Sequence, residues 1–99
     1  MKIPPDIEQY VRRNFAESEA PDALRALESA ALHDGRSPDD RMLRCALTAC
    51  DNSIKSLKYH VAGLAIDYRD VILAGEYARK EGEYIRLRDL SKPFELDEV

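Results

Sequence analysis

The sequence predicts a mainly α protein: a small antiparallel bundle of four to five helices, followed by a C-terminal segment that is extended or a β-hairpin. Three observations carry this prediction. Apolar residues recur at three- and four-residue spacing from Ile7 to Tyr68, the stripe of a half-buried helix. Proline, serine and aspartate stand where helices must begin, and only a few residues separate one stripe from the next, as in a bundle of antiparallel neighbours. From Tyr84 to Leu87 the spacing changes to alternation, the period of a strand.

Pro4, Pro5 and Asp6 open the first helix. Proline suits a first turn because the N–H it lacks would be unpaired there. Ile7, Tyr10, Val11 and Phe15 then form one stripe, and Ser18 to Pro21 breaks it. Pro21 and Asp22 start a second helix with Leu24, Leu27 and Ala31 facing inward. It is expected to end at His33, Asp34 and Gly35, where glycine supplies a left-handed cap.

Ser37 is the expected N-cap of the third helix and Pro38 its first residue. Asp39 and Asp40 set negative charge at the positive end of its dipole. Met42, Leu43, Cys45, Ala46, Leu47, Ala49 and Cys50 follow. That arc is wide, so this helix should be the most buried. Asp51, Asn52 and Ser53 form a turn and a new cap. The fourth helix carries Ile54, Leu57, Val61, Leu64 and Tyr68 on one stripe, with Lys55 and Lys58 off it.

Two conformations fit the residues after Asp67. Asp67 can cap a fifth helix through Val71, Ile72, Ala74 and Ala78, with Arg79 and Lys80 in its last turn and Gly82 as its stop. Alternatively the helix ends near Gly75, and Tyr77 to Arg88 forms a hairpin turning at Glu81-Gly82. The longer helix is narrowly preferred, because a lone hairpin is marginal without a surface to pack on. Residues 1–94 are read as a single helical domain and residues 95–99 as an acidic, frayed tail.

With 44% apolar and 34% charged residues, the 99-residue chain can fill one core without staples. The formal net charge of −4 argues against nucleic acid and anionic membranes as partners, since both call for a positive surface. The opening Met-Lys-Ile-Pro-Pro-Asp has no signal-peptide core, and no apolar run approaches a membrane span. Cys45 and Cys50, five apart on a helix, would lie roughly 8–9 Å apart on diverging faces, beyond disulfide reach. Free thiols suit a reducing compartment, so a cytoplasmic location is expected.

Asp67-Tyr68-Arg69-Asp70-Val71-Ile72-Leu73-Ala74-Gly75-Glu76-Tyr77, closed by Arg88-Asp89-Leu90-Ser91, resembles the end of some short, uncharacterised bacterial proteins. The resemblance covers about a quarter of the chain. It implies a bacterial cytosolic origin and brings no activity and no site residues.

No catalytic residue, cofactor or metal site is expected. The chain has no Gly-x-Ser-x-Gly elbow and no phosphate-cradling glycine loop. Cys45 and Cys50 sit among alanine and leucine, which leaves a thiol inert. Cys45, Cys50 and His60 share no face, whereas zinc takes three or four ligands. His33 is placed to complement the end of the second helix. His60 lies at the edge of the fourth helix's stripe with no carboxylate three or four residues away to orient it.

One set of side chains points to binding. If Tyr84 to Arg88 is extended, Tyr84, Arg86 and Arg88 project to one side and Ile85 and Leu87 to the other. In a hairpin, Tyr77 and Arg79 join the first side. Tyrosine and arginine are the residues of interface hot spots. The competing role for these arginines is local pairing with Glu76, Glu83 and Asp89. The expectation is therefore a non-enzymatic interaction or regulatory domain that binds a protein, a second copy of itself included, through Tyr77, Arg79, Tyr84, Arg86 and Arg88. The alternative is a small-molecule binder or minor enzyme with a pocket between helices at Tyr59, His60 and Tyr68.

Overall fold

The first helix, α1, forms where two prolines and an acidic first turn predispose the chain to it. In the computed structural model, which describes residues 3–94, it spans Pro5–Asn14. Pro5 fills the first turn, Asp6 and Glu8 lie at its positive end, and Arg12 and Arg13 at its negative end. Helix α2 follows at Ala20–Glu28, α3 at Asp40–Ala49 and α4 at Ile54–Glu76. The Ser53 hydroxyl accepts from the Ser56 N–H, capping α4, after Asp51 and Asn52 have turned the chain at φ 50° and 60°. Strands β1 (Tyr77–Lys80) and β2 (Glu83–Arg86), an antiparallel hairpin, are the last regular elements of the described residues.

Four boundaries differ from the sequence reading. Helix α2 stops at Glu28 rather than His33, because Gly35 serves a separate turn: its N–H donates to the Leu32 carbonyl, and Leu32 N–H donates to the Arg36 carbonyl. His33 is therefore exposed in a loop and caps nothing. Helix α3 is capped by Asp39, not Ser37, since the Asp39 carboxylate reaches the Met42 N–H at 2.9 Å. The preferred long fifth helix is overturned. The helix ends at Glu76, and Glu81 and Gly82 take φ 53° and 82° to make the tight hairpin turn. Strand β2 itself stops at Arg86, two residues before the expected end at Arg88.

Asp67 does interrupt the helix, as a corner inside α4 rather than the cap of a separate element. Its backbone is extended (φ −156°, ψ 102°), and its carboxylate accepts the Arg69 N–H at 3.1 Å. The corner is sharp. Residues 63 and 71 would lie about 12 Å apart along a straight helix, yet a Cβ on Gly63 would meet Val71 Cγ2 at 3.3 Å.

One continuous apolar core draws on every helix, with Ile7, Val11, Leu27, Leu43, Leu47, Leu57 and Leu64 fully or almost fully enclosed. Helix α3 buries five consecutive residues, Leu43 to Leu47, in keeping with its wide apolar arc. It approaches α4 closely at Gly75, where a Cβ would come within 2.6 Å of Cys45 Cα. Cys45 and Cys50 are both free and buried. After the hairpin the chain returns to α1: Leu90 is buried, and Phe94 stacks on Tyr10 with ring centroids 4.2 Å apart. No helix among the described residues is long and apolar enough to cross a membrane. The expected frayed tail at 95–99 lies outside the described residues.

Candidate interaction surface

The hairpin is rooted in a buried carboxylate. Glu76, at the end of α4, is completely enclosed, and an ion there is tolerated only when its oxygens are satisfied. Arg41 of α3 supplies a two-point contact, Nε to Oε2 at 2.9 Å and Nη2 to Oε1 at 2.6 Å. The Leu90 N–H donates to Oε2 at 2.9 Å, and Arg86 Nη2 reaches Oε1 at 3.3 Å. The Arg41 hydrogen bond holds the Glu76 carboxyl below its ordinary range against the opposing effect of burial.

A second ionic pair lies one helical turn along α3. Arg44 is buried and donates to both oxygens of Asp6, Nε to Oδ2 at 2.9 Å and Nη2 to Oδ1 at 3.4 Å. Its Nη1 donates to the Leu90 carbonyl at 3.2 Å, and the Phe94 N–H donates to Asp6 Oδ2 at 3.1 Å. Burial pushes the Asp6 carboxyl up, and the bonds from Arg44 and Phe94 outweigh it, so its pKa sits below the usual value. Leu90 is thus held through its N–H by Glu76 and through its carbonyl by Arg44.

From this root the hairpin extends outward. Register places Tyr77 opposite Arg86 and Arg79 opposite Tyr84, so these four share one face, as the alternation implied. Tyr77 is half-buried, while Arg79 and Tyr84 are exposed. The Arg86 guanidinium is turned back on the protein, to Glu76, to Asp89 at 3.0 Å and to the Arg88 carbonyl at 3.2 Å. Arg88 lies past the end of β2 and donates to the Gly75 carbonyl at 2.5 Å. Two of the five residues singled out for partner binding therefore also brace the hairpin from within, and Glu76 and Asp89 take part in that pairing.

Strand β2 is exposed at every position, and Tyr84, Ile85 and Leu87 keep 59%, 43% and 55% of their surface open. A tight turn at Glu81-Gly82 makes Lys80 and Glu83 a hydrogen-bonded pair, and the ladder alternates from there. The Leu87 N–H bond to the Glu76 carbonyl, at 2.7 Å, continues that alternation. The peptide groups of Tyr84 and Arg86 consequently point away from β1, along a sheet edge that no other strand among the described residues covers.

The predicted pocket trio is divided by the corner in α4. Tyr59 and His60 line a groove of about 410 Å³ on the inner side of the bend, together with Ile66, Asp67, Asp70 and Val71. Tyr68 lies instead beside Leu32, Arg36 and Met42. The Tyr59 and His60 rings meet edge to face at 5.3 Å. Burial holds the His60 imidazole below its ordinary range, with a hydrogen bond to the Ala49 backbone opposing it.

The thiols offer no chemistry: burial pushes Cys45 up to about 12 and raises Cys50 as well. Among the described residues no group of three or more His, Cys, Asp or Glu is placed to hold a metal ion. Sequence reasoning missed Arg41, Arg44 and Ile66. Arg41 and Arg44, three apart at the start of an otherwise apolar helix, were the available signal. No protein-family model matches the chain, and neither the curated proteins nor the solved structures yield a match.

Proposed function

We propose that the chain is a non-enzymatic, cytosolic interaction domain that associates through the free edge of β2, with a second copy of itself as the partner. The observation that supports this reading is a strand exposed along its whole length whose outward peptide groups are those of Tyr84 and Arg86. An unpaired edge is a template for another strand, and a two-stranded ribbon gains most from acquiring one.

Parity restricts the pairing. Outward-facing residues must meet outward-facing residues, so a two-fold axis through Ile85 sets Tyr84 against the partner's Arg86, twice. Each tyrosine ring then lies beside a guanidinium already oriented by Glu76 and Asp89. Ile85 meets the partner's Ile85 on the opposite face, at the closer spacing of a non-hydrogen-bonded pair. The free, buried cysteines suit a reducing compartment.

Sedimentation equilibrium tests this. The expected result is a reversible dimer with a Kd between about 1 μM and 1 mM, as a short strand edge allows. Ile85→Lys should give a monomer with an unchanged circular dichroism spectrum, because opposed lysines repel and the hairpin is braced elsewhere. A wild-type chain that is monomeric at 1 mM, or an Ile85→Lys chain that dimerises as well as wild type, would overturn the reading.

A further inference from the structure

We infer that the inner bend of α4 is a separate binding site for a small organic ammonium ion with an aromatic or branched apolar body. The groove shares no residue with the hairpin, and its volume of about 410 Å³ falls in the range of small-molecule sites. Its walls are apolar: the Tyr59 ring, Ile66, Val71 and the alanines at 62 and 74. Tyr59 and Ile66 are 74% and 80% exposed, an unusual degree for residues of this size standing together on one helix.

The polar atoms in the groove specify the sign of the ligand's charge. No lysine or arginine lines it, whereas two aspartates do. Asp67 is neutralised by Arg69, which donates from Nε and Nη2 to its two oxygens at 3.0 and 3.1 Å and does not line the groove. The Asp70 carboxylate is exposed and takes no hydrogen bond or ion pair from the described residues. It shares the field of Arg69 with Asp67, so two carboxylates face one guanidinium and the groove keeps a net negative charge. His60 adds to the same preference. Burial disfavours the imidazolium, so His60 sets no cation against the ligand. The Tyr59 face completes a site for a cation beside an apolar body.

The test uses 2-phenylethylammonium as the probe and phenylacetate as its anionic counterpart, in amide chemical-shift titrations of the full chain. The ammonium ion should bind saturably, with a roughly millimolar Kd for so small a molecule, and its shifts should cluster at residues 59–74. Phenylacetate should leave those amides unmoved. Asp70→Asn, an exposed change that spares the core, should weaken the ammonium ion about threefold to fivefold, the range of an exposed ion pair. Tyr59→Ala should weaken it independently of that charge. Equal binding of the two probes, shifts located elsewhere, no saturation by about 20 mM ammonium ion, or affinity unchanged in both variants would each overturn the inference. Because the ligand and the dimer use different residues, Ile85→Lys should bind the probe as wild type does.

Discussion

Arg41 and Glu76 meet across the α3–α4 contact as a two-point pair, and the carboxylate in that pair is entirely enclosed while the guanidinium is about one third open. The open side lets Arg41 keep part of its hydration, which lowers the cost of enclosing the pair. What remains enclosed is a single negative charge, read by two guanidinium groups and one peptide N–H.

Glu76→Gln should therefore cost about 2–3 kcal/mol in urea denaturation, less than the 3–5 kcal/mol typical when a fully buried pair loses a partner. The amide keeps one acceptor but turns an N–H₂ toward donors. The same change should speed hydrogen exchange at the Leu90 amide, whose bond to Glu76 it removes or weakens. A stability loss below about 0.5 kcal/mol with Leu90 still protected would show that the pair is not needed.

Acidification should weaken the fold in two stages. Glu76 and Asp6 have folded pKa values below the ordinary 4.5 and 3.8, so the unfolded chain takes up protons first as the pH falls. Their stabilisation is complete above those values and is lost as the pH drops through the lower, folded ones. His60 behaves in the same direction from a higher starting point, because its folded pKa lies below 6.5 and protonation favours the unfolded chain. Urea midpoints should fall slightly below pH 6.5 and steeply below pH 4.5. His60→Gln should abolish the first stage alone; a midpoint that rises on acidification would contradict both assignments.

Two glycines in α4 should respond differently to alanine. At Gly75 the added Cβ would lie 2.6 Å from backbone atoms of Cys45, which cannot move without shifting α3. Gly75→Ala should cost about 2–3 kcal/mol, an overpacking effect, and should loosen Glu76 next to it. At Gly63 the Cβ meets only the Val71 side chain, at 3.3 Å. The backbone entropy gained there, about 0.5–1 kcal/mol, offsets the crowding, so Gly63→Ala should be close to neutral. Thermal melts of the two variants decide this.

The sequence disclosed those features that depend on neighbours along the chain. The wide arc of α3 and the Ser53 cap are local, and both are in the structure; the break at Asp67 is legible as a helix cap rather than as a corner, and the Glu81-Gly82 turn only as the less favoured alternative. Gly35 was misread because a left-handed glycine serves a loop turn as well as a helix end. Glu76 was legible only as a local partner for the arginines. Periodicity registers apolar positions, and this carboxylate is stabilised by Arg41, which lies 35 residues away, and by Leu90, 14 away. The pocket trio fails at Tyr68 for a related reason: a single extended residue at Asp67 breaks the helical phase, so Tyr68 turns toward Leu32, Arg36 and Met42 while Asp70 and Val71 stay in the groove.

The contact between the Phe94 N–H and Asp6 joins residues 88 positions apart. Closing so long a loop is entropically among the last events a folding chain can complete. Helix α1 is thus expected to dock loosely on its apolar stripe first and to be locked only when residues 90–94 arrive, and it should be the first helix released when they leave. The chain carries its own latch, and the element it secures is the one at the far end of the sequence.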